Sequence, residues 1–382
     1  MEAASIVSES YAGPAHKLHL DYLESIRGVA ALSVVLFHYT QAYDGPRLVW
    51  FFTHTPLAVI CDGTAAVSLF FVLSGLVLSY RHFRTSRTPD LSKFHIGAYA
   101  VARVCRIWLP YVVISLISAL FSRQIFARYN TSPPPTDWLI FFFKNPHWPL
   151  SIRWMLGEIQ IFRFETPSLL PQGWTLSIEL ALSILVPFGV MLASRRTSWL
   201  IVVVLMLTIS MHGTAFLAHF AAGILIAKYF NDIQDWMSRH RLARWGTLII
   251  GILFYTLRST LDREWGWPGP AKIWLASGFG AALILCGVLG SDFLKRAFSH
   301  RSLRFLGRIS YSLYLVHMLV LLCLTPSLMQ AMSRWPLSVS WPVGVLTVTG
   351  VSLILAIIYY RLVEVPSMAI GKRIQQWITT ST

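Results

Sequence analysis

The sequence predicts an all-α polytopic membrane protein, a bundle of about ten transmembrane helices with the N- and C-termini cytoplasmic. Three observations lead there. Of 382 residues, 55% are hydrophobic and only 13% charged, with a mean hydropathy of +0.58, whereas soluble globular proteins carry about 25% charged residues. The apolar residues gather in ten runs, and about 20 helical residues suffice to cross a hydrocarbon core of about 30 Å. Lys and Arg concentrate on alternate connections between the runs, as they do on cytoplasmic loops. The net charge of +15 comes in short bursts rather than as one long basic face, which excludes a nucleic-acid binder.

Taken in order, the runs are Ser25 to Tyr43, Thr64 to Tyr80, Arg103 to Phe121, Trp174 to Ala193, Trp199 to Met211, Thr214 to Phe230, Trp245 to Leu257, Ile273 to Leu289, Phe305 to Leu324 and Val343 to Tyr360. The fifth and seventh are short. "MHGT" at Met211 to Thr214 reads as the turn between the fifth and sixth, because Gly213 interrupts an otherwise continuous apolar run. With the N-terminus inside, 22 of the 32 Lys and Arg fall on the inner side. Residues 1–20 form a polar tail without the apolar core of a cleaved signal peptide, 21–373 the membrane domain, and 374–382 a second tail. The loop 122–173, rich in proline and aromatic residues, is expected to cap the outer face. It carries the sequon "NTS" at Asn130, a glycosylation candidate on that side. The four cysteines, Cys61, Cys105, Cys286 and Cys323, show no CxxC spacing and read as core thiols.

Ionisable groups inside the apolar runs carry the chemistry. In "LDYLESIRGVAALSVVLFHYT", Arg27 and His38 flank ten residues of which only Ser33 is polar. Eleven positions at 100° each fall within about 20° of three full turns, so both side chains leave one face, roughly 16 Å apart along the axis. An ionisable group near the bilayer centre faces a protein interior or a wet cavity and marks function by default; the alternative is a snorkelling arginine and a histidine satisfied by a neighbouring helix. Glu179 lies about one turn into the fourth run and His219 in the sixth. In "RISYSLYLVHMLV", Ser310, Tyr314 and His317 stand at i, i+4 and i+7, one helical stripe. Such a stripe lines a cavity shared with His38 or makes helix-to-helix hydrogen bonds. Arg81 and Arg84, and Arg103 and Arg106, are i, i+3 pairs on the inner side. Guanidinium forks suit phosphates, and basic anchoring at the inner surface also accounts for them.

Together, "SIRGVAALSVVLFHY", "SLFFVLSGLVLSYR", "RVCRIWLPY", "GWTLSIELALSILVP", "FLGRISYSLYLVH" and "RLVEVPSMAIGKR" resemble the acyltransferase-3 family of integral-membrane acyltransferases, in order and over nearly the whole chain, from Leu20 to Arg373. The resemblance implies an enzyme that transfers an acyl group, usually acetyl, from cytoplasmic acyl-CoA to a hydroxyl of a sugar or a small natural product. His38 matches the family's essential histidine, Arg27 its paired arginine, and Arg81 and Arg84 its RxxR motif. The fused extracellular domain of larger relatives is missing here, which favours a small acceptor.

On this reading Arg81, Arg84, Arg103 and Arg106 hold the CoA phosphates, Arg27 lines the pantetheine path, and His38 as a neutral imidazole takes the acceptor proton and returns it to the departing thiolate. Glu179 or Tyr314 orients the imidazole or stabilises the oxyanion; His317 completes the catalytic candidates. There is no GxSxG and no HxxxD, so direct attack is expected rather than an acyl-enzyme. No metal is expected, since no two His or acidic residues share a run at ligand spacing. The partners are membrane lipid, acyl-CoA and a small hydroxylated acceptor, in an endomembrane or the plasma membrane. The rival reading is a proton-coupled transporter relaying through His38, Glu179, His219 and His317, although no internal repeat joins the two halves.

Overall fold

The computed structural model describes residues 14–43, 55, 57–92, 94–126, 136, 138–140, 151–162, 169–210, 215–257 and 270–381. Asn130 and the turn expected at Met211 to Thr214 lie outside them, as does much of the loop 122–173. The described elements are helical: α1 (Pro14–Tyr43), α2 (Gly63–Phe83), α3 (Ile96–Leu120), α4 (Gly173–Arg195), α5 (Thr197–Ser210), α6 (Ala215–Lys228), α7 (Phe230–Arg239), α8 (Arg241–Tyr255), α9 (Pro270–Leu289), α10 (Asp292–Phe298), α11 (Arg301–Arg308), α12 (Ser310–Ala331), α13 (Leu337–Tyr359) and α14 (Val365–Ser381), with short helical turns between some of them. A π-helical turn, Tyr360–Glu364, joins the last two.

Helix forms over the described part of every apolar run. Among the described residues, five stretches are long and apolar enough to cross a membrane: α2, α3, α4, α12 and the continuous Leu337–Thr380 through α13 and α14. The others fall short for identifiable reasons. α5 and α6 have 14 residues each, about 21 Å at 1.5 Å per residue. α1 is long but carries Asp21, Glu24, Arg27 and His38. α9 and α10 meet at a 103° bend and count as a sixth crossing only if taken together.

Helices without side-chain bulk at their crossings bring backbones together, the packing that membrane interiors favour. α2 and α6 meet at Gly75 and Gly223, where an added Cβ would stand 2.3 Å from the Phe220 carbonyl oxygen and 2.2 Å from that of Val72. α1 and α11 meet likewise at Gly28 and Gly307, and Asp21 Oδ2 accepts from Arg304 Nη1 at 3.0 Å beside that crossing. The main core gathers α1, α2, α4, α6, α9 and α12, and a smaller cluster centres on Tyr39, Leu169 and Met318. Large apolar side chains left exposed, among them Leu205, Leu253, Leu346 and Ile354, suit a lipid-facing surface.

Phenol hydroxyls fasten the helices that frame the interior. Tyr311 of α12 donates to the Ile107 carbonyl of α3 at 2.6 Å, Tyr99 of α3 to the Ser183 carbonyl of α4 at 2.8 Å, and Tyr359 of α13 to the Pro110 carbonyl. Tyr111 donates to the Glu158 carbonyl at 2.8 Å, and the buried Glu158 carboxylate accepts the Leu169 N–H at 2.9 Å, tying the segment 151–162 to the bundle.

The Gly75–Gly223 crossing predicts that Gly223→Leu loses about 1–3 kcal/mol or more, because backbone and not a yielding side chain stands in the way. Gly350→Ala, whose Cβ meets nothing within 4 Å, should hold or raise stability. Melting temperatures of the detergent-solubilised protein, read by size-exclusion chromatography, distinguish the two.

Candidate active site

A partly open cavity of about 830 Å3, counted to its mouth, lies between α1, α2, α3, α4 and α12. Its polar lining comprises Arg27, Ser74, Arg103, Arg106, Thr175, Glu179, Ser310, Tyr311 and Tyr314, against an apolar wall that includes Val67, Phe71 and Ile107. Arg27 is half-buried, Arg103 buried and Arg106 exposed. Three guanidiniums on one cavity give its wall the chemistry that suits an anion.

Several of these polar groups are held by neighbours. Glu179 Oε1 accepts from Ser74 Oγ at 3.2 Å and lies 3.8 Å from Arg103 Nη2, and Arg103 Nε donates to Ser183 Oγ at 3.2 Å. Pro110, four residues beyond Arg106 on α3, removes the N–H that would pair the Arg106 carbonyl. The Thr175 hydroxyl donates to the Gln172 carbonyl at 2.8 Å. With that proton committed, Tyr314 donates into Thr175 Oγ1 at 2.6 Å. Gln172 Nε2 also donates to the Leu315 carbonyl at 3.0 Å, which ties the start of α4 to α12.

Arg27 and Tyr314 line the cavity, whereas His38 and His317 do not. They stand beyond Tyr314, joined by a hydrogen bond of 2.9 Å between His38 Nδ1 and His317 Nε2, with ring planes 6° apart. Tyr314 belongs to both places: its ring lies 5.8 Å from that of His317, and its carbonyl accepts from His317 Nδ1 at 2.8 Å. On its other sides the half-buried His38 ring meets Phe37 at 5.5 Å and Trp138 at 5.7 Å between centroids.

The structure therefore brings together Arg27, Arg103, Arg106, Glu179, Ser310 and Tyr314, and sets the His38–His317 pair off that wall, next to Tyr314. The neighbour that touches the His38 ring nitrogen is His317, and neither the Glu179 carboxylate nor the Tyr314 phenol takes that place. Arg81 and Arg84 stand apart from the cavity. Arg81 lies over the rings of Phe94 and Tyr99, 5.5 Å and 5.2 Å from their centroids. Arg84 lines a separate pocket with Arg87, Lys228 and Asp232, where Arg87 pairs with Asp232 and Lys228 Nζ donates to the Ala193 carbonyl at 2.6 Å. His219 is also elsewhere, hydrogen-bonded through Nε2 to the Trp274 carbonyl at 2.9 Å. No three His, Cys, Asp or Glu side chains gather as a metal site among the described residues.

Sequence reasoning missed Ser74, Thr175, Gln172 and Glu364. Glu364 is buried in the π-helical turn, accepts from Ser312 Oγ at 2.5 Å and faces Arg106 and Arg27 electrostatically. Its signal was a lone acid inside the last apolar stretch, in "RLVEVPS". π turns recur at functional sites.

Removing one member of the Arg103–Glu179 pair leaves its partner beside apolar wall. Arg103→Met should destabilise by about 1–3 kcal/mol, and Arg103→Met combined with Glu179→Leu by less than the sum of the single changes. A double-mutant cycle on thermal unfolding measures this; strict additivity would show the pair uncoupled.

Comparison with known proteins identifies the family. The family model described as an acyltransferase domain, that of the acyltransferase-3 family, matches residues 20–361. O-acetyltransferase PaAT-1 of Phomopsis amygdali is 24% identical over an alignment of 359 residues, which covers 78% of this chain and 71% of the relative. No solved structure matches. A family match that runs from α1 through α13 and encloses every residue of the cavity wall places the protein: the chain belongs to the acyltransferase-3 family.

Proposed function

We propose that the protein moves an acyl group, acetyl in the first instance, from acyl-CoA to a hydroxyl of a small natural product or sugar, with His38 as the general base. One observation carries this reading. Three guanidiniums line a cavity whose wall includes Tyr314, and Tyr314 touches His317, the partner of His38. Arg27, Arg103 and Arg106 neutralise the diphosphate of the donor, and the apolar wall takes its pantetheine arm. Arg81, linked to Arg103 through Tyr99 and Ser183, extends the positive surface toward the donor's outlying phosphate, with Arg84 three residues further along the chain. Glu179 keeps the Arg103 fork aimed inward.

The donor enters from the cytoplasmic side, where the excess of Lys and Arg puts this end of the bundle. The thioester passes Tyr314 to reach His38, and the acceptor approaches from the side of Phe37 and Trp138. His38 takes the hydroxyl proton as the oxygen attacks the carbonyl carbon; the carbon–sulfur bond breaks and the proton goes to the thiolate. The name of the Phomopsis amygdali relative supports acetyl as the group moved. The place of His219, bonded to the Trp274 carbonyl and off the cavity wall, counts against a proton relay through the bundle.

Equilibrium binding of tritiated acetyl-CoA to the purified protein tests the donor site. Arg103→Ala and Arg106→Ala should each weaken binding about 10-fold or more, the worth of a hydrogen bond to a charged group. His38→Ala should bind normally. Cells expressing His38→Ala and fed 13C-acetate should then lack the labelled acetyl esters that wild-type cells accumulate, read by mass spectrometry. The same esters in both would remove His38 as base.

A further inference from the structure

The hydrogen bonds around the imidazole pair carry more than proximity: they fix which ring nitrogen holds each proton. His317 is fully buried, and its Nδ1 lies 2.8 Å from the Tyr314 carbonyl. A carbonyl only accepts, so the proton is on His317 Nδ1. A neutral imidazole with a protonated Nδ1 has a bare Nε2. His317 Nε2 stands 2.9 Å from His38 Nδ1, and a hydrogen bond there needs one proton between two nitrogens. Since His317 Nε2 has none, His38 Nδ1 supplies it.

The other possibility is an imidazolium at position 317, donating from both nitrogens. That would put a charge in a fully enclosed place where neither imidazole has an ion-pairing carboxylate among the described residues. An unpaired buried charge is too costly to hold there.

We propose that His317 is a positioning residue that locks His38 into the Nδ1–H tautomer, so that the bare Nε2 is the atom that takes the acceptor proton; this rests on the reading of His38 as base. No described group hydrogen-bonds to His38 Nε2. The lock operates through the whole cycle. When His38 Nε2 accepts the proton of the hydroxyl, the new oxygen–carbon bond forms and the carbon–sulfur bond breaks. The imidazolium keeps its Nδ1–H on His317 throughout. When Nε2 gives its proton to the thiolate, ester and free thiol leave, and His38 returns to the tautomer in which it began. Nothing at His317 changes protonation. A carboxylate holds the ring in the corresponding way in hydrolytic triads; here a neutral ring aimed by a backbone carbonyl does it.

The Tyr314 carbonyl also explains why the stripe on α12 is spaced as it is. His317 curls back on the carbonyl three residues earlier, the turn that puts Tyr314 in the cavity wall. One turn of helix thus contributes the cavity's inner wall and the clamp on the base.

Solid-state 15N spectra of protein labelled at histidine nitrogens, in lipid bilayers, test the assignment, with the His38 signals identified by their loss in His38→Gln. Wild type should show His38 with Nδ1 protonated and Nε2 bare. In His317→Leu, which offers no acceptor, the Nε2–H tautomer of His38 should take over, and production of the acetyl esters should fall about 10²- to 10⁴-fold with acetyl-CoA binding unchanged. His317→Gln can donate its amide N–H to the Tyr314 carbonyl and accept from His38 through Oε1, so it should keep the wild-type tautomer and ester formation within about 10-fold. A wild-type spectrum with Nε2 protonated overturns the proposal without any variant, as does a His317→Leu spectrum in which the His38 tautomer is unmoved. The expected tautomer together with full ester formation by His38→Gln would instead refute His38 as base while the hydrogen-bond assignment stood.

Discussion

A buried hydroxyl or charge in this bundle is costly unless it finds a partner inside it, since surrounding lipid offers none. That requirement sets the geometry of the interior. The Tyr311 and Tyr359 phenols reach across to carbonyls of α3 at Ile107 and Pro110, and Tyr99 reaches from α3 to Ser183 of α4. Each bond ties a hydroxyl to a carbonyl of another helix, so the partners cannot slide along or rotate about their axes without orphaning the hydroxyl. Arg103 inherits its position from this frame: the same Ser183 that receives Tyr99 at its carbonyl receives Arg103 at its hydroxyl.

Close glycine crossings complement those polar ties. Gly75 against the Phe220 carbonyl and Gly307 against the Glu24 carbonyl leave no room for a methyl group, so α2 with α6 and α1 with α11 approach at backbone distance. α1 is thereby fixed in height as well as rotation. Arg27 and His38 then serve separate places, Arg27 the cavity and His38 the imidazole pair.

Charge in the cavity is arranged in opposition. Arg27, Arg103 and Arg106 are set against Glu179 and the buried Glu364, which keeps three guanidiniums from repelling one another in a partly apolar space while leaving positive charge in excess. Burial keeps the arrangement effective, because screening by water is reduced. The imidazole pair is kept apart from these charges by Tyr314, so its proton positions are set by two local hydrogen bonds.

The helical class and the apolar runs were legible in the sequence, because helical periodicity and the cost of ionisable groups in apolar surroundings are local properties of a chain. Family membership followed from six blocks in order, which need no coordinates either. Which stripe meets which was not legible. His38 and His317 are 279 positions apart, and only packing of α1 on α12 makes them partners. Arg81 and Arg84 read identically to Arg103 and Arg106 as i, i+3 pairs, yet only the latter line the cavity, because the two pairs sit on different helices with different neighbours. His219 looked like His317 in sequence and ended on a carbonyl of α9. Sequence determined which side chains must hide from lipid; tertiary structure alone decided with whom, since a hydrogen bond between helices depends on the relative rotation and height of two elements that no single segment encodes.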